Sequence, residues 1–163
     1  MGRDMLSAVS TTTPVHVTTT ADDVVRALDA AGYRMTDSRR AVIDLVCTRD
    51  GAFETADLVA DARRRKTAAA RATIFRTLEI LVGLGVVERL DLPSGGHSYV
   101  RCDSRGHHHH LVCTRCQRSM DLEDLGMTPI LTQVARRTGY RIEGHRVELF
   151  GLCPTCQQQE PAR

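Results

Sequence analysis

Tryptophan is absent from the 163 residues, phenylalanine and tyrosine number three each, and aromatics make up only 4% of the chain. That is thin for two independent cores, although 42% hydrophobic residues leave one packed core feasible. Domains with so little large apolar surface often draw stability from a metal or from dimerisation. Also missing is any uninterrupted apolar run near the ~18 residues that cross a bilayer. The N-terminal MGRDMLSAVSTTTPVHVTTT lacks the apolar stretch of a secretory signal, and the residues after Met1-Gly2 do not fit a myristoylation site. A cytoplasmic chain with no membrane partner is therefore expected. Charge of one sign is scarce as well: 22 Lys and Arg against 20 Asp and Glu leave a net +2, which says little about partners. The distribution is more informative, because arginines form local clusters in the first half, at Arg39-Arg40 and Arg63-Arg64-Arg65. No HExxH or similar helix-borne motif is present, so neither an enzyme nor a small organic substrate is expected.

What is present begins with six cysteines, four of them in two Cys-x-x-Cys pairs, Cys113/Cys116 and Cys153/Cys156. Without a secretion signal such pairs point to metal rather than to disulfides. Four thiolates form the tetrahedral set that a structural zinc prefers. The gap between the pairs is longer than in a zinc ribbon, so a larger folded unit must lie between them. Cys47 lies on an apolar helical face and reads as a small core residue.

Hydrophobic periodicity organises the rest. Helical stripes recur in ADDVVRALDAAG (Val24, Val25, Leu28, Ala31), in a second helix capped by Thr36 (Val42, Ile43, Leu45, Val46), from Thr55 (Ala56, Leu58, Val59, Ala62), and in ARATIFRTLEILVGLG (Ile74, Leu78, Leu81, Val82). Thr20 is a fitting cap for the first helix, and Gly32 and Gly85 are fitting stops. The period then changes to two: VVERLDL, a Pro93-Ser94-Gly95-Gly96 turn and HSYVR predict a hairpin, and helices followed by a hairpin predict a winged helix. Further on, HLVCTRC and SMDLE read as strands, TPILTQVARRTG as a helix, and YRIEGHRVELFGLC as one long alternating strand. The expected organisation is α+β. A mobile tail (1–19) leads into a winged helix-turn-helix domain (20–101), a hinge (102–106), an α/β metal-binding domain (107–157) and a frayed tail (158–163).

Directly before Cys113 stands the run His107-His108-His109-His110. On a strand, alternate side chains face opposite sides, so His108 and His110 share one face while His107 and His109 share the other. One run thus feeds two metal sites, each completed from elsewhere. His145 is a candidate to join His107 and His109. Cys102 and Glu88, the latter in the first wing strand, are candidates to join His108 and His110. A thiolate, two imidazoles and a carboxylate suit zinc better than iron(II), because soft thiolate favours zinc.

The stretches ARATIFRTLEIL, HHHHLVCTRC and HRVELFGLCPTC resemble the ferric uptake regulator family of metal-responsive repressors, over about residues 21–156. The resemblance implies an N-terminal winged helix, a hinge and a C-terminal dimerisation domain. It implies that Cys113, Cys116, Cys153 and Cys156 hold a structural zinc. Glu88, Cys102, His108 and His110 match the sensory site, and His107, His109 and His145 match a further site. A cysteine at position 102 resembles the zinc uptake regulator branch, where Glu88 replaces a frequent Asp. The carboxylate that usually completes the further site falls at Thr128, a poor ligand, with Glu123, Asp124 or water as substitutes. Gln117 stands where the family often has Gly.

The helix from Arg71 follows a helix and a turn, the place of a recognition helix. Arg71, Thr73, Phe75 and Arg76 are the residues expected to approach the groove. Phe75, where relatives usually have Tyr, keeps contact to a thymine methyl but gives up the hydroxyl. Arg34 matches a basic residue that the family inserts in the minor groove, and Arg39 and Arg40 are expected phosphate contacts. Arg63-Arg64-Arg65-Lys66 adds a basic cluster nearby. The expected function is a zinc-responsive repressor that binds palindromic operators of metal-uptake genes as a homodimer. An iron, manganese or nickel sensor and a zinc storage or delivery protein are the alternatives.

Overall fold

The computed structural model describes residues 20–102, 108–122 and 125–159. The expected tail over 1–19, most of the hinge, His107, Glu123, Asp124 and the end of the C-terminal tail lie outside them.

Local chemistry starts the helices where the sequence places them. Thr20 opens α1 (Ala21–Ala30) with a reciprocal cap: its hydroxyl accepts from the Asp23 amide at 3.2 Å, and the Asp23 carboxylate accepts from the Thr20 amide at 3.0 Å. The Thr36 hydroxyl caps α2 (Asp37–Cys47) by accepting from the Arg39 amide at 3.2 Å. Two further helices follow, α3 (Thr55–Arg64) and α4 (Arg71–Gly83), with Gly85 in the left-handed region just beyond. Leu28, Val42, Ile43, Leu45, Val46, Leu58, Ile74, Leu78 and Leu81 from these helices are buried together with Val87. Each side chain of that size contributes about 1.5–3 kcal/mol when fully buried. Cys47 packs against this cluster, as expected. Ala31, Ala56 and Val82 do not: all three are exposed, because they sit at the edges of their stripes where the helices face solvent.

After α4 the chain forms an antiparallel hairpin, β1 (Val87–Asp91) with β2 (His97–Arg101). A second sheet has the order β4-β3-β5, with β3 (His109–Cys113) antiparallel to β4 (Ser119–Leu122) and parallel to β5 (Glu148–Gly151). Between β4 and β5 runs α5 (Met127–Thr138), and the short α6 (Pro154–Gln157) follows β5. The long strand expected over 140–153 is reduced to its last part. Gly139, at φ +75°, ends α5, and only Glu148–Gly151 finds a ladder partner, in β3. Among the described residues no helix is long and apolar enough to cross a membrane.

The two halves are not separate in their packing. A small second core joins Ala52, Leu90 and Val100 of the first half to Val112 of β3, with Phe150 of β5 against it. This seam brings the hairpin onto the histidine strand.

Candidate metal centres and nucleic-acid face

The four paired cysteines come together. Cys113 ends β3, Cys116 lies in the turn after it, Cys153 precedes α6 and Cys156 sits within it. Their sulfurs all lie within 4.8 Å of one another, with Cys116 Sγ 3.7 Å from Cys153 Sγ. Pro154 at the first helical position suits the tight turn that returns Cys156 toward Cys153. The site polarises its own thiols. The Cys116 amide, then that of Cys153 at 3.4 Å, donate to Cys113 Sγ and draw its thiol down to about 6. The Cys156 amide likewise lowers Cys153. Burial, reinforced by the neighbouring sulfurs, pushes Cys156 up to about 12. Four sulfurs this close cannot all carry charge without a cation among them, and this donor set fits a closed zinc site.

The second group spans the seam. Glu88 projects from β1, Cys102 follows β2, His108 precedes β3 and His110 lies within it. Their ligand atoms are within 4.8 Å of one another. The His108 and His110 rings meet edge to face at 4.8 Å. His110 is 1% exposed; its Nε2 lies 2.9 Å from Glu88 Oε2 but without hydrogen-bonding direction. A buried imidazole nitrogen aimed at a carboxylate, a thiol and a second imidazole is a ligand arrangement. Sequence reasoning missed one partner: Asp121, on β4, places Oδ1 3.1 Å from His110 Nδ1. The signal for it was the antiparallel register, which sets His110 opposite Asp121 and becomes readable only once β4 is paired.

Strand alternation sends His109 the other way, where its Nε2 stands 3.3 Å from His145 Nε2. His145 reaches it from the irregular segment before β5 rather than from a strand. Among the described residues no third His, Cys, Asp or Glu completes this pair into a cluster, and Thr128 is exposed on α5.

On the other half, α4 buries Ile74, Thr77, Leu78 and Leu81 and turns Arg71, Phe75 and Arg76 outward, with Thr73 half-buried. The Arg71 guanidinium lies 5.5 Å over the Phe75 ring, so the two present one surface. Arg34 is exposed, and its carbonyl accepts from the half-buried Arg39 guanidinium, which therefore props the Arg34 loop. Arg40 is paired with Asp22 at 2.8 Å and Asp44 at 3.0 Å, which neutralise the charge expected to meet a phosphate.

Comparison with known proteins gives a consistent result. The sequence profile of the ferric uptake regulator family matches residues 30–150. The zinc uptake regulation protein of Mycobacterium tuberculosis (strain ATCC 25618 / H37Rv) is 34% identical over 130 residues, covering 80% of this chain and 99% of that protein. The ferric uptake regulation protein of Synechococcus elongatus is 26% identical over 144 residues, covering 87% and 98%. A solved zinc uptake regulator complexed with zinc and DNA aligns with a TM-score of 0.66 at 26% identity, over 85% of this chain and 93% of that one.

Proposed function

The chain belongs to the ferric uptake regulator family, whose members are transcription regulators and not enzymes; from that premise we propose that it is a cytoplasmic, zinc-responsive repressor binding palindromic operators of metal-uptake genes as a homodimer. One observation carries the reading: Glu88, Cys102, His108 and His110 converge across the seam between the two halves. The thiol among them is what favours zinc over iron(II).

In this reading Cys113, Cys116, Cys153 and Cys156 hold a structural zinc, while Glu88, Cys102, His108 and His110 hold the exchangeable one. A zinc ion at the second group would supply one charge centre shared by donors from both halves. Glu88 lies on the hairpin, Cys102 directly follows it and His110 belongs to the second sheet, so their separation depends on how the halves are oriented. Holding these donors together holds the hairpin and α4 in a fixed attitude. Arg71, Thr73, Phe75 and Arg76 then face the major groove, Arg34 the minor groove, and Arg39 positions Arg34. His107, His109 and His145 are the candidates for a further site, with Glu123 or Asp124 in place of the acid that Thr128 does not supply.

Dimerisation is supported by α5, which buries none of its residues within the chain. Ile130 and Val134 are 51% and 44% exposed, and Tyr140, Met120 and Leu149 are open as well. An apolar face of this kind needs a cover, and a second copy supplies it symmetrically. Two reading halves in fixed register match a two-fold operator.

The test is a DNA-binding titration against free zinc, iron, manganese and nickel with bound metal measured in parallel. Operator binding that tracks zinc occupancy of the exchangeable site supports the reading. Equal binding after removal of the exchangeable ion overturns it, and specific DNA binding absent with all sites filled favours storage or delivery.

A further inference from the structure

The two halves also meet where no ligand group is involved. The Ala52 amide donates to the Gln117 carbonyl at 2.8 Å, and Gly51 pairs antiparallel with Arg118. Gly51 and Ala52 lie just ahead of α3. Gln117 and Arg118 close the Cys113–Cys116 turn: the Gln117 amide donates to the Cys113 carbonyl at 2.9 Å, and the Cys113 amide to the Arg118 carbonyl at 2.8 Å. The approach is close. A Cβ on Gly51 would press into the Gln117 carbonyl oxygen and stand 3.1 Å from its carbonyl carbon and 3.2 Å from Arg118 Cα. All three are backbone atoms, which cannot swing aside as a flexible side chain would.

Each side of this contact is anchored to its own half. Phe53 exchanges backbone bonds with Tyr99 of β2, at 2.8 Å and 2.7 Å, and their rings stack at 6.0 Å. Arg49 pairs with the buried Asp61 of α3, and its guanidinium lies 5.7 Å over the Phe53 ring. The Gly51–Ala52 segment therefore moves with α3 and the wing. On the far side Gln117 holds a left-handed φ of +62°, a conformation set by the thiolate turn around it.

We infer that the four-cysteine turn is the docking post of the DNA-reading half, and that Gly51 and Gln117 are positioning residues at this joint. The inference deepens the proposed function and rests on it for what the reading half does. The apolar seam of Leu90, Val100 and Val112 slides more readily than a backbone contact, because apolar packing has no direction. Gly51–Gln117 is the standing pivot, and the Glu88, Cys102, His108 and His110 group is the second point that fixes the angle. The thiolate turn thus shapes the attitude of the reading half as well as stabilising its own domain.

The test uses the full chain in two states, fully zinc-loaded and stripped of the exchangeable ion with the thiolate zinc retained. Gly51→Ala adds one methyl at a backbone conformation open to any residue, so its effect falls on the joint. Gly83→Ala, whose Cβ meets nothing within 4 Å, is the matched control. Amide exchange at Ala52 and small-angle scattering are the readouts. The expected result is a protected Ala52 amide in both metal states of the parent. In Gly51→Ala its exchange is faster by about tenfold or more, with α1–α4 unchanged, and the stripped protein is larger in radius of gyration than the control. A parent Ala52 amide that exchanges like an exposed loop amide overturns the inference. So does a Gly51→Ala protein that behaves like Gly83→Ala. If no zinc-dependent DNA binding is found while Ala52 behaves as expected, the proposed function fails and the joint stands.

Discussion

Asp121 and His110 face each other across the β3–β4 ladder, Oδ1 to Nδ1 at 3.1 Å. A carboxylate there keeps the ring proton on Nδ1 and turns the Nε2 lone pair toward Glu88, Cys102 and His108. Asp121→Ala is expected to weaken zinc binding at that group about 10- to 100-fold with the fold intact. Competition against a fluorescent chelator measures it, and an unchanged affinity would make the carboxylate a bystander.

Cys102 supplies the only sulfur of the seam group. Replacing it with serine should move the free-zinc midpoint for operator binding upward by at least about tenfold, or about 1.4 kcal/mol. The response to iron should change less. Equal losses for both metals would remove the argument for zinc selectivity.

Arg76 is exposed on the outer face of α4, one residue from the Phe75 ring that Arg71 covers. Arg76→Ala should cost about 1–3 kcal/mol in specific DNA affinity and relax selectivity at one base position. A fluorescence-anisotropy titration across operator variants gives the answer. A uniform loss at every sequence would assign Arg76 to a phosphate instead.

Gln117 occupies a left-handed backbone conformation that costs a residue with a side chain about 1 kcal/mol. Gln117→Gly should therefore leave stability unchanged or raise it by up to about 1 kcal/mol, whereas a β-branched residue there should lower it. Denaturant midpoints of the zinc-loaded protein decide, and a clear loss of stability on Gln117→Gly would contradict the assignment.

Zinc entering the thiolate site must displace protons, and the amount depends on pH. Near neutrality Cys113, drawn down to about 6, is already ionised, while Cys156, pushed up to about 12, still carries its proton. Below about pH 6 Cys113 regains a proton that zinc must also expel. Zinc affinity of the metal-free chain should therefore fall more steeply with acidification below that point. Proton release followed with an indicator dye checks the sign; release that shrinks on acidification would reverse it.

The parts of this molecule legible in its sequence are those set by neighbours along the chain. Thr20 and Thr36 cap their helices because the cap needs only the amides within the next turn. The doubled Cys-x-x-Cys spacing specifies its own geometry, and alternation alone separates His109 from His108 and His110. Contacts made by strand pairing were not legible. Asp121 looks like a solvent-facing acid until β4 is laid beside β3. Gly51 carries no mark of the carbonyl it approaches. The segment before β5 alternates like a strand yet has no ladder partner until Glu148, so its pattern promised more sheet than the pairing allows.

Strand β3 lends a residue to every donor group: His110 to the seam, His109 to the histidine pair and Cys113 to the thiolates. An insertion or deletion of one residue between His109 and Cys113 would reverse the side presented by everything beyond it. Point substitutions can retune each of these centres separately, but a change in strand length would disable several at once. The capacities for structure and for sensing are thus inherited together, as one indivisible stretch of backbone.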